Sequence, residues 1–371
     1  MIGLFRSILA LMVMAYHILK APLPMGTYSV FGFYVISGFL MTFIMHENYG
    51  YTNRGRVTFF ANRFLRLYPL YWTAAIISIV VIYYIGPSIT TRFNVNLYLP
   101  NSFEMIIQNI FIFFAPLSPE RILDNLISVI LSWRPSDIQP RLVPPSWALT
   151  VEIFFYILIC LGLSKTIIRV RLWMIVSIVY VIATFMLDGK WQHRYFTFAA
   201  ASLPFSIGSL VYFLYRNNRF HEIYQKSKLS SGILFIIFLI NCFTCSALFK
   251  SNIAGHILEI IFYFGLYLNI LICALLVYSL IKSDKIIKIS KNFDKFIGDF
   301  SYPMYLLHFQ VGVLAAFLLY GPALQDKSSN GWSTFSLALA IVLLLSLSFK
   351  YLIEKPVENI RNKIKTRNIQ P

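Results

Sequence analysis

Long apolar stretches recur from one end of the chain to the other, and they fix the solvent before any other feature does. GILFIIFLINCFTCSALF at 232–249 and LALAIVLLLSLSFKYLI at 337–353 are typical. A helix needs about 20 mostly apolar residues to cross a hydrocarbon core about 30 Å thick. Strands of a membrane barrel would show short alternating segments instead. With 58% hydrophobic and 13% charged residues, the 371-residue chain is also far too apolar for a water-soluble globular domain. The expected fold class is therefore all-α, a polytopic membrane helical bundle forming one domain over 1–371.

Apolar runs lie near 4–20, 28–47, 67–86, 104–117, 146–164, 172–188, 196–215, 229–249, 257–281, 299–321 and 332–353. The run at 104–117 is shorter than the roughly 17 residues a span requires. Charge decides its status. If it does not cross and the N-terminus is cytoplasmic, the inside gaps hold Arg54, Arg56, Arg63 and Arg66; Lys165, Arg169 and Arg171; Arg216, Arg219, Lys226 and Lys228; and Lys282, Lys285, Lys288, Lys291 and Lys295. The tail, with Lys355, Arg361, Lys363, Lys365 and Arg367, is inside as well. Were 104–117 to cross, every later gap would invert and the basic loops would face out, against the positive-inside rule. Ten transmembrane helices with cytoplasmic N- and C-termini are expected. The segment 87–145 is then a long external stretch in which 104–117 lies at the interface or re-enters, and WRPSDIQPRLVPPSW at 133–147 favours order over a loose linker.

The net charge of +17 would raise nucleic acid as a partner of a soluble protein. Here topology accounts for most of it, so the bilayer is the expected partner and nucleic acid is not. Cys160, Cys242, Cys245 and Cys273 lie inside apolar runs, which argues against a disulfide framework; the lone C-x-x-C at 242–245 sits in hydrocarbon, and no metal site is expected. The first run ends in HILKAPLPMG without a small-residue cleavage pattern and is expected to be retained as a span.

Ionisable residues within spans are costly and normally face the bundle interior. Arg6 and His17 are eleven residues apart, close to three turns, so they share a face roughly 16 Å apart along the axis. Glu152, counted from an external boundary near Trp147, is expected roughly 8 Å deep, level with His17. A carboxylate beside an imidazole fixes its tautomer and raises its basicity, as a general base requires; a structural His–Glu pair is the alternative. Arg63 and Arg66 share a helix face at the start of the third span, suited to phosphates such as those of coenzyme A or, equally, to anchoring at the membrane surface. His308 falls near mid-membrane, where a core histidine and a site residue are equally plausible. Ser37 and Gly38 read as close helix packing. His46, His193, His221 and His256 lie near span ends or in gaps and carry no comparable signal.

Taken in order, the Arg6 and His17 arrangement, FGFYVISGFLMT at 31–42, the R-x-x-R of Arg63 and Arg66 followed by Pro69, Tyr71 and Trp72, SWALTVEIFFY at 146–156, SYPMYLLHF at 301–309 and IEKP at 353–356 resemble the acyltransferase-3 family of bacterial membrane O-acyltransferases. The similarity runs nearly end to end. It departs at Ala148, where the family often has a small polar residue, and at Ile153 and Phe154, where it often has a polar pair. The resemblance implies a multi-pass protein of the bacterial cytoplasmic (inner) membrane. It implies transfer of an acyl group, acetyl by default, from cytoplasmic acyl-CoA to a hydroxyl of a cell-surface or lipid-linked carbohydrate, with acyl-CoA as donor co-substrate and no bound cofactor. His17 would be catalytic, with Glu152 beside it; Arg6, Arg63 and Arg66 would support the donor; His308, Trp147 and Tyr71 are further candidates. Some relatives carry a C-terminal SGNH-type domain, which is not expected here.

Two rivals remain from the sequence. A transporter or flippase of a lipid-linked sugar would line a pathway with buried charges, yet no inverted repeat stands out. A polysaccharide polymerase would concentrate arginines in its external loops, and 87–145 has only Arg92, Arg121, Arg134 and Arg141.

Overall fold

The computed structural model describes residues 1–114, 139–187, 191–227, 229–249, 255–282, 290–323 and 331–369. Arg121, Arg134 and the 133–138 part of the proline- and aromatic-rich stretch lie outside the described residues, as do Lys228, Lys285, Lys288 and the side chains of Lys365 and Arg367.

Helices follow the apolar runs, and no strand occurs among the described residues. The major elements are α1 (Ile2–Ile18), α2 (Leu23–Ile44, continued by a π turn Met45–Tyr49), α3 (Asn53–Ile85), α4 (Pro87–Phe93), α5 (Phe103–Phe111), α6 (Ser146–Leu161) and α7 (Ile167–Met186). After them come α8 (Trp191–Tyr195), α9 (Phe198–Tyr215), α10 (Asn218–Lys226), α11 (Ser231–Leu248), α12 (Gly255–Lys282), α13 (Lys291–Tyr320), α14 (Trp332–Phe349) and, across a π turn at Lys350–Glu354, α15 (Lys355–Ile369). Polar residues in the gaps start the helices. The hydroxyls of Thr52, Thr166, Thr197, Ser230 and Ser290 each accept an N–H of the first turn that has no intrahelical partner.

Among the described residues, eight helices are long and apolar enough to cross a membrane, and α1 and α6, of 17 and 16 residues, are apolar but shorter. The bundle is built around α2 and α13, whose apolar windows are 78% buried, against 22% for α7. On α7 the exposed face carries Ile175, Val176, Val179, Ile182 and Met186, a surface that only lipid solvates well. α1 packs along α13, and α2 along α9. Glycines allow the second contact: a Cβ on Gly38 would run into the Phe205 carbonyl, and one on Gly208 into that of Val35. The packing expected at Ser37–Gly38 is thus real for the glycine.

Helix ends that flank the basic gaps gather at one end of the bundle. Arg216 pairs with Glu47 at 3.3 Å, His46 Nε2 lies 3.0 Å from the Ser164 carbonyl, and Asp294 accepts the N–H groups of Gly3 and Leu4 at the start of α1. We call this the basic end.

The described part of the run at 104–117, residues 104–114, does not form a span. α5 has nine residues, about 13 Å of helix, and the chain leaves it through Ile112 in the left-handed region at φ 54°. Its last carbonyls are held by α3: the Tyr68 hydroxyl donates to Phe111 O at 2.7 Å, and Trp72 Nε1 donates to Ile110 O at 3.0 Å. The segment returns through 139–146, which is held by Asn109 Nδ2 to Pro140 O and Leu142 N to Asn109 Oδ1, both 2.9 Å. Non-helical backbone is tolerable at depth because protein groups meet its polar atoms.

That return shifts α6. Residues 140–146 are buried, so the helix begins well below the bundle surface instead of at it. Everything on α6, Glu152 included, sits deeper than a count from Trp147 as boundary implies.

Candidate active site

Arginines from two helices converge on one carboxylate at the basic end. α3 begins fourteen residues before the apolar run proper, so Arg63 and Arg66 stand on ordered helix, three residues apart and on one face. Both line a cavity of about 100 Å³ together with Arg6, Ser37, Glu152 and Tyr305. Glu152 is half-buried, and its Oε1 accepts the Ser37 hydroxyl. Tyr156, one turn further along α6, joins Arg6 and Arg63 as its polar neighbours. Arg6 and Arg63 make no hydrogen bond or ion pair with any described residue, although Arg63 rests 6.0 Å over the Phe59 ring and its Nε is buried. Arg66 reaches Glu354 of the π turn at 4.0 Å.

Buried guanidinium groups ordinarily have acceptors, because removing them from water without a partner is costly. Two on one cavity wall, facing a single carboxylate already engaged by a hydroxyl, leave donors aimed at open space. The arrangement suits an anion that enters from outside the protein.

His17 sits elsewhere. Its ring stacks on His308, centroids 5.1 Å apart and planes 22° apart, and tilts against Phe309 at 4.4 Å. Nδ1 of His308 lies 2.8 Å from the Tyr305 carbonyl, which can only accept, so Nδ1 carries the proton and Nε2 the lone pair. That Nε2 is buried and has no hydrogen-bond partner among the described residues. The His17 ring packs against His308 and Phe309 and does not line the cavity, whereas the Glu152 carboxylate lines it beside Ser37, Tyr156 and the arginines. Tyr305 touches both groups, lining the cavity with its side chain while its ring lies 6.0 Å from that of His308. Trp147 packs on Tyr195 and Phe196 at 5.5 and 4.9 Å, and Tyr71 is fully buried; neither lines the cavity.

A family model described as an acyltransferase domain matches residues 2–351. The chain belongs to the acyltransferase-3 family. No curated protein and no solved structure matches it. In this membrane acyltransferase the matched segment includes the cavity arginines, Ser37, Glu152 and both stacked histidines, whereas α15 lies beyond it.

Sequence reasoning missed two side chains of the acyltransferase's cavity. Ser37 gave no signal, because a serine in an apolar run fits tight packing equally well. Tyr156 could have been found: it stands at i+4 from Glu152, on the same helix face.

Proposed function

We propose that the protein is a membrane O-acyltransferase that takes an acyl group, acetyl by default, from cytoplasmic acyl-CoA and places it on a hydroxyl of a cell-surface or lipid-linked carbohydrate. In this reading α1 and α6 cross the bilayer with the eight longer helices. That gives ten spans, with both termini and the basic end on the inside of a bacterial cytoplasmic membrane. The observation that carries the reading is the pair of guanidinium groups, Arg6 and Arg63, that face a cavity without an anionic partner of their own.

The donor's phosphates are held at Arg63 and Arg66, with Arg6 completing the positive lining. Glu152 limits the net positive charge there, and its hydrogen bond from Ser37 holds it in place. The pantetheine arm extends past Tyr305 towards the stacked histidines. His17 accepts the proton of the acceptor hydroxyl as its oxygen attacks the thioester carbonyl carbon. The carbon–sulfur bond breaks, and the proton passes from the imidazolium to the departing thiolate, so acyl-CoA and alcohol become ester and free coenzyme A. A covalent variant, in which the imidazole nitrogen first takes the acyl group, leads to the same products. His308 supports His17 through the stacked ring and, with its proton fixed on Nδ1, presents a neutral face to it.

The test is transfer of label from radiolabelled acetyl-CoA to a panel of surface glycans by purified protein, comparing wild type with His17→Ala and Arg66→Ala. Label on a glycan with wild type alone supports the reading. Equal transfer by His17→Ala rejects the role of His17, and neither binding nor transfer by wild type rejects the donor assignment.

A further inference from the structure

The Arg63 and Arg66 face does not end at the cavity that holds Glu152. On the side towards the basic end lie two more cavities, and two side chains of α15, Glu358 and Arg361, line both. The larger, about 390 Å³, is walled by α3 with Arg66, by the start of α13 and by the turn joining α14 to α15. The smaller, about 180 Å³, is walled by the end of α2, by Arg63 and by α15. Arg66 thus lines the first of these and the Glu152 cavity, Arg63 the second and the Glu152 cavity, and Arg361 stands across from both arginines.

Charge in the larger cavity is nearly accounted for pair by pair. Lys295 holds Glu358 at 2.7 Å, Lys350 holds Asp299 at 3.0 Å, and Arg66 reaches Glu354 at 4.0 Å. Those pairs use all three carboxylates of the lining. Arg361 has neither a hydrogen bond nor an ion pair among the described residues; its Nε is buried, and Arg66, Arg63 and, one turn back on α15, Glu358 are its charged neighbours. Three guanidinium groups therefore line adjoining cavities, and the carboxylates near them are already engaged: Glu358 by Lys295, Glu152 by Ser37, and Glu354 by Arg66 itself at 4.0 Å. Like charges so placed repel, and a multivalent anion between them removes the repulsion while filling their donors.

We propose that α15 completes the donor site, Arg361 being a third phosphate-binding arginine that works with Arg63 and Arg66. The inference rests on the acyl-CoA reading and extends it to a helix outside the segment that the family model matches. The donor fits because its nucleotide end carries a diphosphate and a separate ribose phosphate, three phosphorus centres for three guanidinium groups. Arg361 is a binding residue and takes no part in the chemical step.

The experiment titrates coenzyme A and 3′-dephospho-coenzyme A into the full-length protein in phosphatidylcholine nanodiscs. It compares wild type with Arg361→Ala, Arg361→Lys, Arg66→Ala and Lys363→Ala, the last an exposed α15 position that lines none of these cavities. Arg361→Ala should weaken coenzyme A binding about tenfold to a hundredfold, the span expected for a charge-assisted hydrogen bond. Arg361→Lys should recover part of the loss, and Lys363→Ala should bind as wild type. Equal binding of both ligands by Arg361→Ala assigns it to the ribose phosphate, whereas a further loss with the dephospho form assigns it to the diphosphate. Wild-type affinity in Arg361→Ala, with Arg66→Ala weakened, overturns this inference and leaves the donor reading intact. No binding by wild type overturns both. If Arg361→Ala keeps its coenzyme A affinity but retains less phosphatidylglycerol in mixed nanodiscs, the arginine serves a lipid headgroup and the proposal fails.

Discussion

The Ser37 hydroxyl, on α2, donates to the Glu152 carboxylate, on α6, and so joins two helices at the wall of the arginine-lined cavity. A hydrogen bond to a charged group is worth about 1.5–3 kcal/mol, and breaking it leaves a deeply placed carboxylate with less satisfaction than the fold provides. Ser37→Ala is expected to lower thermal stability in detergent by about that amount. Ser37→Ala combined with Glu152→Gln should recover part of it, because the amide needs less solvation than the carboxylate. Differential scanning fluorimetry of the four proteins measures the coupling, and strict additivity would show that the two side chains act independently.

His17→Ala should reduce kcat by about 10² to 10⁴, the usual contribution of a positioned general base, while leaving coenzyme A affinity unchanged because the ring lies outside the arginine-lined cavity. Replacing His308 with Phe keeps a ring under His17 but removes the nitrogen bonded to the Tyr305 carbonyl. A smaller fall in kcat is expected there. Single-turnover rates beside equilibrium binding separate the two effects, and parallel loss of both binding and rate in His17→Ala would count against the division of labour.

For Arg66→Ala the donor KM is expected to rise about tenfold to a hundredfold, with kcat changed far less. Arg66→Lys should restore charge without the planar fork, giving an intermediate KM. Steady-state rates across donor concentrations decide it; an effect confined to kcat would place Arg66 in the reaction itself.

Gly38→Ala forces a methyl group into the Phe205 carbonyl, a backbone atom that cannot rotate away. Separating α2 from α9 should destabilise the protein by about 1–3 kcal/mol and disturb Ser37, the adjacent residue. Gly38→Ala with an unchanged melting temperature would mean that the two helices have more freedom to part than their packing shows.

The helices were readable because each depends on one variable, the length of an apolar run. The R-x-x-R spacing located two cavity arginines for a similar reason: three residues apart on a helix is one face, whatever surrounds it. What could not be read was depth. Glu152 was counted inward from Trp147, and the burial of residues 140–146 ahead of the helix, which sets where α6 begins in the bundle, leaves no mark on that count. Ser37 and Arg361 were invisible for another reason: each matters through a neighbour more than a hundred residues away in the chain, which no local spacing encodes.

Pro69 gives α3 a property that its contacts alone do not suggest. Lacking an N–H, it leaves the Leu65 carbonyl without its usual helical donor, at the point between Arg66 on one side and Trp72 on the other. The helix is thus two stiff arms with a softened fulcrum. One arm bears the arginines, the other bonds to α5 through Trp72, and Tyr68 bonds to α5 just ahead of the proline. A shift of α5 would turn the outer arm, and that turn must either be absorbed at Pro69 or arrive at the guanidinium groups as a change in their position.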